Sequence, residues 1–148
     1  MKTSRRRSRE FALQGLYQWQ LAGTDPETIA GQLGEAEGFN KIDAAYFRLL
    51  LEGAVVGAPE MEALIAPLLD RAYKSLSPVE RGILLLAGYE FGHCPEVPYR
   101  VIINEAIELA KSFGGTDGHK YVNGVLNGLA ASLRAAEVDA DKLSGKAR

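Results

Sequence analysis

The chain has 148 residues, the size of one ordinary domain, and 47% of them are apolar, enough for a buried core. Its single cysteine, Cys94, excludes an intrachain disulfide and a cysteine-based metal cluster and fits a reducing, cytoplasmic compartment. The net charge of -2 gives no whole-chain sign of a polyanionic partner, but the charge is unevenly placed. Lys2, Arg5, Arg6, Arg7 and Arg9 stand in the first nine residues with no acid among them. The rest of the chain carries an acidic excess, so a positive footprint sits on an acidic body. Glu10-Phe11-Ala12-Leu13-Gln14 follows the arginines, so this start lacks the uninterrupted apolar run of a signal peptide. Apolar stretches such as Ile83–Ala87 are too short to span a bilayer, and no membrane role is expected.

The hydrophobic periodicity predicts about seven helices and no strand. The first covers 4–22, with Ala12, Leu13, Leu16 and Trp19 in one arc, and Gly23 ends it. Asp25-Pro26 reads as N-cap and first helical residue of a short helix over 26–33, and 34–41 reads as a loop. A third helix over 43–57 starts at the cap Asp43 and buries Phe47, Leu50, Leu51 and Ala54. A fourth over 60–70 contains Pro67, which should kink it or end it early. Ser77-Pro78-Val79-Glu80 spells a capping box, and the helix that follows, 78–92, is apolar on most faces and therefore central. Pro95 and Pro98 bracket a linker. The sixth helix, 98–113, carries an apolar stripe of Tyr99, Ile102, Ile103, Ala106, Ala110 and Phe113. Gly114-Gly115 ends it. Thr116 or Asp117 caps the seventh, which buries Val122, Val125, Leu126, Leu129 and Leu133. Residues 135–148 are expected to form a frayed tail. An all-α, single-domain bundle follows.

The first helix carries a local conflict. A helix N-terminus bears roughly half a positive charge and favours acids, yet Arg5, Arg6, Arg7 and Arg9 stand there. A phosphate backbone would resolve the conflict, because guanidinium forks take phosphate in pairs of hydrogen bonds and free backbone N–H groups add donors. The alternatives are a solvated basic terminus, an acidic partner or a membrane surface. Polar Gln14 and Gln18, in place of a broad apolar face, argue against the last. Tyr17 and Trp19 follow further along, and a cationic track with stacking rings is how single-stranded RNA is held. Trp19 falls at the edge of the apolar arc and suits the core, whereas Tyr17 lies further round. A replacement of Arg6, Arg7 and Arg9 by alanine is expected to weaken RNA binding without unfolding the domain.

The turn 114–121 is a second candidate. It reads mainly as a helix–helix connection, with Asp117, His119, Lys120 and Tyr121 able to extend the cationic surface. It is not a phosphate-binding loop of the nucleotide-hydrolase type, since no strand precedes it. Catalysis finds no support: His93 and His119 form neither a triad nor a ligand pair, and Cys94 has no nucleophile context. Glu105 and Glu108 with Lys111 read as a salt-bridged, solvated face rather than a metal pair. No cofactor or metal is expected.

Three stretches carry a family likeness. Arg5-Arg6-Arg7-Ser8-Arg9-Glu10 with Ala12, Gln14, Leu16-Tyr17 and Trp19 is the first. Val97-Pro98-Tyr99 with the run from Asn104 to Gly114 is the second, and Lys120–Leu126 the third. Together they resemble the NusB family over residues 4–134. The resemblance implies about seven helices in two packed subdomains, forming one RNA-binding domain over 1–134. It implies a non-enzymatic transcription antitermination factor that binds boxA-type single-stranded RNA of ribosomal RNA operon leaders. It also implies a heterodimer with the ribosomal protein NusE, and work alongside other Nus factors and RNA polymerase. Family RNA contacts map onto Arg5, Arg6, Arg7, Arg9 and Tyr17 and onto the Asp117–Tyr121 turn, and Glu80 is the NusE-facing candidate. Tyr121 stands where the family often has Phe. Asn104 and Asn123 read as interhelical or capping hydrogen-bond residues. A homodimer that hides the basic helix remains an alternative. So does an enzyme subunit, because the module also resembles the N-terminal domain of certain ribosomal RNA cytosine methyltransferases; the chain lacks the glycine-rich fingerprint of their catalytic domain.

Overall fold

The structure, a computed structural model, describes residues 2–115 and 117–145. Among them are eight α-helices, three single 3-10 turns and no strand. The helices are α1 (Ser4–Ala22), α2 (Pro26–Leu33), α3 (Ala44–Val56), α4 (Ala58–Ile65), α5 (Pro78–His93), α6 (Tyr99–Phe113), α7 (Gly118–Leu133) and α8 (Ala135–Leu143).

Local chemistry sets most of the boundaries. The side chains of Thr3, Asp25 and Asp43 accept from the backbone N–H groups of Arg6, Thr28 and Tyr46, which satisfies a free donor at each helix start. Ser77 and Glu80 close both halves of the capping box at the start of α5. Gly23 ends α1 with φ 68°, a left-handed conformation that glycine adopts without a Cβ penalty. Pro67 acts as expected: α4 stops at Ile65 and gives way to a 3-10 turn over Ala66–Leu68. The loop 34–41 holds a 3-10 turn at Phe39–Lys41. Asp117 occupies the N-cap position of α7, but its side chain makes no capping bond, and Thr116 lies outside the described residues.

Helix α5 is the axis. Its residues from Gly82 to Gly88 are all buried, with α1 and α3 packed on one side and α6 and α7 on the other. The core runs continuously through both groups, from Phe47, Leu50 and Leu16 to Ile102, Leu126 and Leu129. Each such fully buried side chain contributes about 1.5–3 kcal/mol of apolar transfer.

Two expectations are corrected here. Phe113 continues the apolar stripe of its helix in sequence but is 50% exposed, because α6 ends there and the ring projects past the core. Residues 135–143 are not frayed. Arg134 donates from Nε to the Phe91 carbonyl at 2.7 Å and from Nη2 to the Cys94 carbonyl at 2.9 Å, capping the C-terminal end of α5. Glu137 accepts from the Tyr99 backbone N–H at 3.0 Å, supplying the cap that Pro98 cannot give α6. Buried Val138 and an Arg100–Asp141 pair at 2.6 Å complete the docking of α8. Residues 146–148 of the expected tail lie outside the described residues.

Candidate nucleic-acid interface

The four arginines of α1 point in different directions, because successive residues on a helix turn by about 100°. Arg9 shares the arc of Ala12, Leu13 and Leu16, which faces the core. It is 5% exposed, and its Nε and Nη2 donate to the Glu90 carboxylate of α5 at 3.0 and 2.8 Å. Glu90 is 2% exposed and also accepts from the Tyr46 hydroxyl of α3. Burial pulls against the charge of Arg9, but the hydrogen bonds and charge of Glu90 outweigh it and raise its pKa. Burial, then the Glu90 charge, holds the Tyr46 phenol well above its usual range. This triad ties α1, α3 and α5 together. The expectation that Arg9 offers an open phosphate contact is corrected: its fork already belongs to a carboxylate.

Arg6 faces α6. Its Nε and Nη2 donate to the two Glu105 oxygens at 3.0 and 2.8 Å. Hydrogen bonding and the charge of Glu105 raise the Arg6 pKa. Glu105 lies 3.7 Å from Arg9 Nη1 as well, so one carboxylate serves two arginines. It is not on the solvated face that the sequence suggested. Glu108 is, 4.0 Å from Lys111. Arg5 faces α3, with its guanidinium 4.0 Å above the Tyr46 ring and 3.8 Å from Asp43. The hydroxyl of Ser8, fully buried, has its one proton shared between the carbonyls of Ser4 at 2.9 Å and Asp43 at 2.8 Å and accepts from the Asp43 backbone N–H at 2.9 Å, pinning the helix start against α3.

Arg7 is different. It is half-buried, and its side chain makes no ion pair or hydrogen bond among the described residues. No acid stands in the first turn of α1. The helix start therefore presents one unneutralised guanidinium, flanked by Arg5, which retains an exposed edge, and by Arg6, which would have to exchange Glu105 for any incoming anion.

Tyr17 lies about 15 Å beyond Arg7 along the helix axis. It is 43% exposed and lines a groove of about 270 Å³ with Gln14, Val79 and Phe113. The groove is mostly apolar, and Glu10, which also lines it, is paired with Lys2 at 2.7 Å. Trp19 is half-buried against the core. Glu80, read as partner-facing, spends one oxygen on the capping box, and the other would sit 3.3 Å from a Cβ placed on Gly118 at the start of α7.

The Asp117–Tyr121 turn lies at this same far end, not beside the arginines. Lys120 is exposed and 3.8 Å from Asp117. His119 is half-buried. Tyr121 donates from its hydroxyl to Asp70 at 3.1 Å, and Arg71 covers its ring at 4.3 Å. The Arg71 hydrogen bond, then that of Tyr121, holds the Asp70 carboxyl below the usual carboxylate range. A stacking base would have to displace Arg71. The two sequence-derived candidates thus sit at opposite ends of α1. Sequence reasoning missed Glu90, Asp70 and Arg71, and it gave Glu105 a solvated face rather than Arg6 as partner. Only the first left a signal, a lone carboxylate inside the most apolar helix. Asn104 and Asn123 are both exposed. Asn123 accepts only from Asn127, at 2.9 Å, so neither joins helices as expected.

No helix is long and apolar enough to cross a membrane, and no acid, histidine and cysteine cluster among the described residues could hold a metal ion. The sequence profile of the NusB family matches residues 6–131. The transcription antitermination protein NusB of Variovorax paradoxus (strain S110) is 56% identical over 147 residues, covering 99% of this chain and 81% of the relative. That of Thiobacillus denitrificans is 55% identical over 139 residues, covering 94% and 96%. Among solved structures, NusB of T. maritima superposes with a TM-score of 0.80 at 33% identity, over 89% of this chain and 94% of that one. A chain from a crystal structure of the antitermination factors NusB and NusE in complex with dsRNA gives 0.76 at 26% identity, over 84% and 93%. The chain belongs to the NusB family, a family of transcription antitermination proteins and not of enzymes.

Proposed function

We propose that this protein binds boxA-type single-stranded RNA of ribosomal RNA operon leaders together with the ribosomal protein NusE. It acts in the cytoplasm, with other Nus factors and RNA polymerase. The observation that carries the reading is the half-buried guanidinium of Arg7, which has no carboxylate partner, at a helix start without an acid. It is supported by the kinship with chains named transcription antitermination protein NusB, and by the match to a chain from a NusB–NusE–RNA structure.

In this reading Arg5, Arg6 and Arg7 take phosphates, and Arg9 holds α1 in place from beneath. The far end contributes Asp117, His119, Lys120 and Tyr121. The strand between them passes Tyr17. A second assignment of Tyr17 is favoured by its surroundings. An apolar groove suits a protein surface better than a phosphate chain. Tyr17 and nearby Glu80 then face NusE, and Tyr17 makes no RNA contact.

Fluorescence anisotropy with labelled boxA-type RNA, with and without NusE, tests the proposal. Tighter binding than to a scrambled RNA of equal length, and a further gain on adding NusE, are expected. Equal affinity for both RNAs, or no effect of NusE, would contradict it.

A further inference from the structure

A second cavity lies at the far end of the bundle, between α1, α4, α5 and the linker that precedes α5. Its volume is about 340 Å³, at the small end of cavities that take small ligands. Trp19 and Tyr73 supply two aromatic walls, and Arg81, Glu62 and Gln20 supply its polar groups. Trp19 is 13 residues past Arg6, roughly 20 Å along the helix axis. The cavity is therefore separate from the arginine tip.

Arg81 is the unusual member. It is half-buried, and its guanidinium makes no ion pair or hydrogen bond among the described residues. Its Nε is fully buried with no acceptor. Its charged carbon lies 6.0 Å from the centre of the Tyr73 ring. A half-buried cation without a counter-group is costly, and buried donors without acceptors are rare in folded chains. Every other arginine of the first, third and sixth helices has found a carboxylate except Arg7.

The chemistry selects a flat, acceptor-rich occupant. A guanidinium offers donors only, and the edge of guanine carrying O6 and N7 offers two acceptors to it. Adenine would turn an amino donor toward the same group. Guanine also presents N1–H and an amino group on its other edge. Glu62, which lines the cavity, offers only acceptors when ionised. Gln20 spends its amide N–H on the Pro78 carbonyl at 2.8 Å, leaving its own carbonyl to accept. Trp19 and Tyr73 provide the faces against which an unstacked base packs.

We infer that the Trp19–Tyr73–Arg81 cavity receives one unstacked guanine base of the bound RNA strand. The inference rests on the RNA-binding reading and adds a base-specific pocket to it.

Trp19 is the single tryptophan, so its emission reports on the cavity directly. The full chain is titrated with guanosine 5′-monophosphate and, separately, with the adenosine, cytidine and uridine monophosphates. Saturable quenching by the guanosine nucleotide is expected in the millimolar range, about tenfold stronger than by the others. Arg81→Gln should weaken it by about tenfold or more, since a bidentate pair is lost. Glu62→Gln is an exposed change that leaves the fold intact, and it should reduce the preference for the guanosine over the inosine nucleotide. No saturable response to the guanosine nucleotide, or an undiminished one in folded Arg81→Gln, would overturn the inference. A guanosine-containing single-stranded RNA separates the two readings. Binding with unchanged Trp19 emission sinks the pocket and leaves RNA binding standing. Nucleotide quenching without any RNA binding removes the RNA reading, and the strand-borne base with it.

Discussion

Replacing Arg9 separates a structural arginine from an RNA-contacting one. In Arg9→Leu the Glu90 carboxylate, 2% exposed, loses its hydrogen bonds at 3.0, 3.2 and 2.8 Å and keeps only the Tyr46 hydroxyl. Removing one partner of a buried pair costs about 3–5 kcal/mol, because an uncompensated charge is stranded. That is a fifth or more of the stability of an ordinary domain, about 5–15 kcal/mol. For a chain of this length it lowers Tm by roughly 6–20 °C. The triple change Arg9→Leu, Tyr46→Phe, Glu90→Leu leaves no charge or hydroxyl behind and should recover most of the loss. Urea and thermal melts followed by circular dichroism give both values, with RNA affinity measured at a temperature where every variant is folded. The alanine replacement of Arg6, Arg7 and Arg9 suggested by the sequence is thereby corrected as an experiment, since it would lower stability and binding together. An Arg9→Leu protein within about 1 kcal/mol of the parent, yet tenfold weaker for RNA, would refute this reasoning.

Two glycines of similar sequence context should respond with opposite signs. A Cβ on Gly53 would overlap the Tyr89 ring, which stacks on His93 at 4.8 Å, so Gly53→Ala should lower stability by about 1–3 kcal/mol before a helix-propensity gain of about 1 kcal/mol. Gly124 faces open space inside α7, so Gly124→Ala should raise stability by that same gain, and melts that move together would contradict both packing assignments. Alkaline pH should also unfold the domain by a defined route. Burial raises the phenols of Tyr46, Tyr73, Tyr89, Tyr99 and Tyr121, Tyr73 to about 12 against an ordinary 10.0. The folded state favours the neutral form, so this contribution is whole below the unfolded value and is lost as pH rises through the folded one. Tyrosinate absorbance should lag a model tyrosine between pH 10.0 and about 12 and then rise with the loss of helical signal; a titration complete before unfolding would contradict it.

Elements governed by neighbouring residues were legible in the sequence. Asp25-Pro26, Asp43 and the Ser77–Glu80 box each place a helix start through contacts three residues long, and Pro67 ends α4 by steric exclusion. The fate of the arginines was not legible in the same way, because their partners lie 81 and 99 residues away. One clue was present. Arg9 precedes Ala12, Leu13 and Leu16 by three, four and seven residues, so helical periodicity already put it on the buried arc. The charge run drew attention to the segment as a whole, although helix geometry sends its members to four different neighbourhoods. The eighth helix was missed for a related reason. Its own pattern is weakly apolar, and Arg134, Glu137 and Asp141 hold it through caps and ion pairs on distant helix ends.

The claim that most depends on geometry is that Arg7 meets a phosphate while Arg9 does not. The salt dependence of single-stranded RNA affinity for the parent and for Arg7→Ala tests it most directly. Each neutralised phosphate contributes about 0.7 to the logarithmic slope, so Arg7→Ala should bind more weakly and with a slope shallower by that amount, at unchanged thermal stability. An identical slope and affinity in the folded variant would contradict the account.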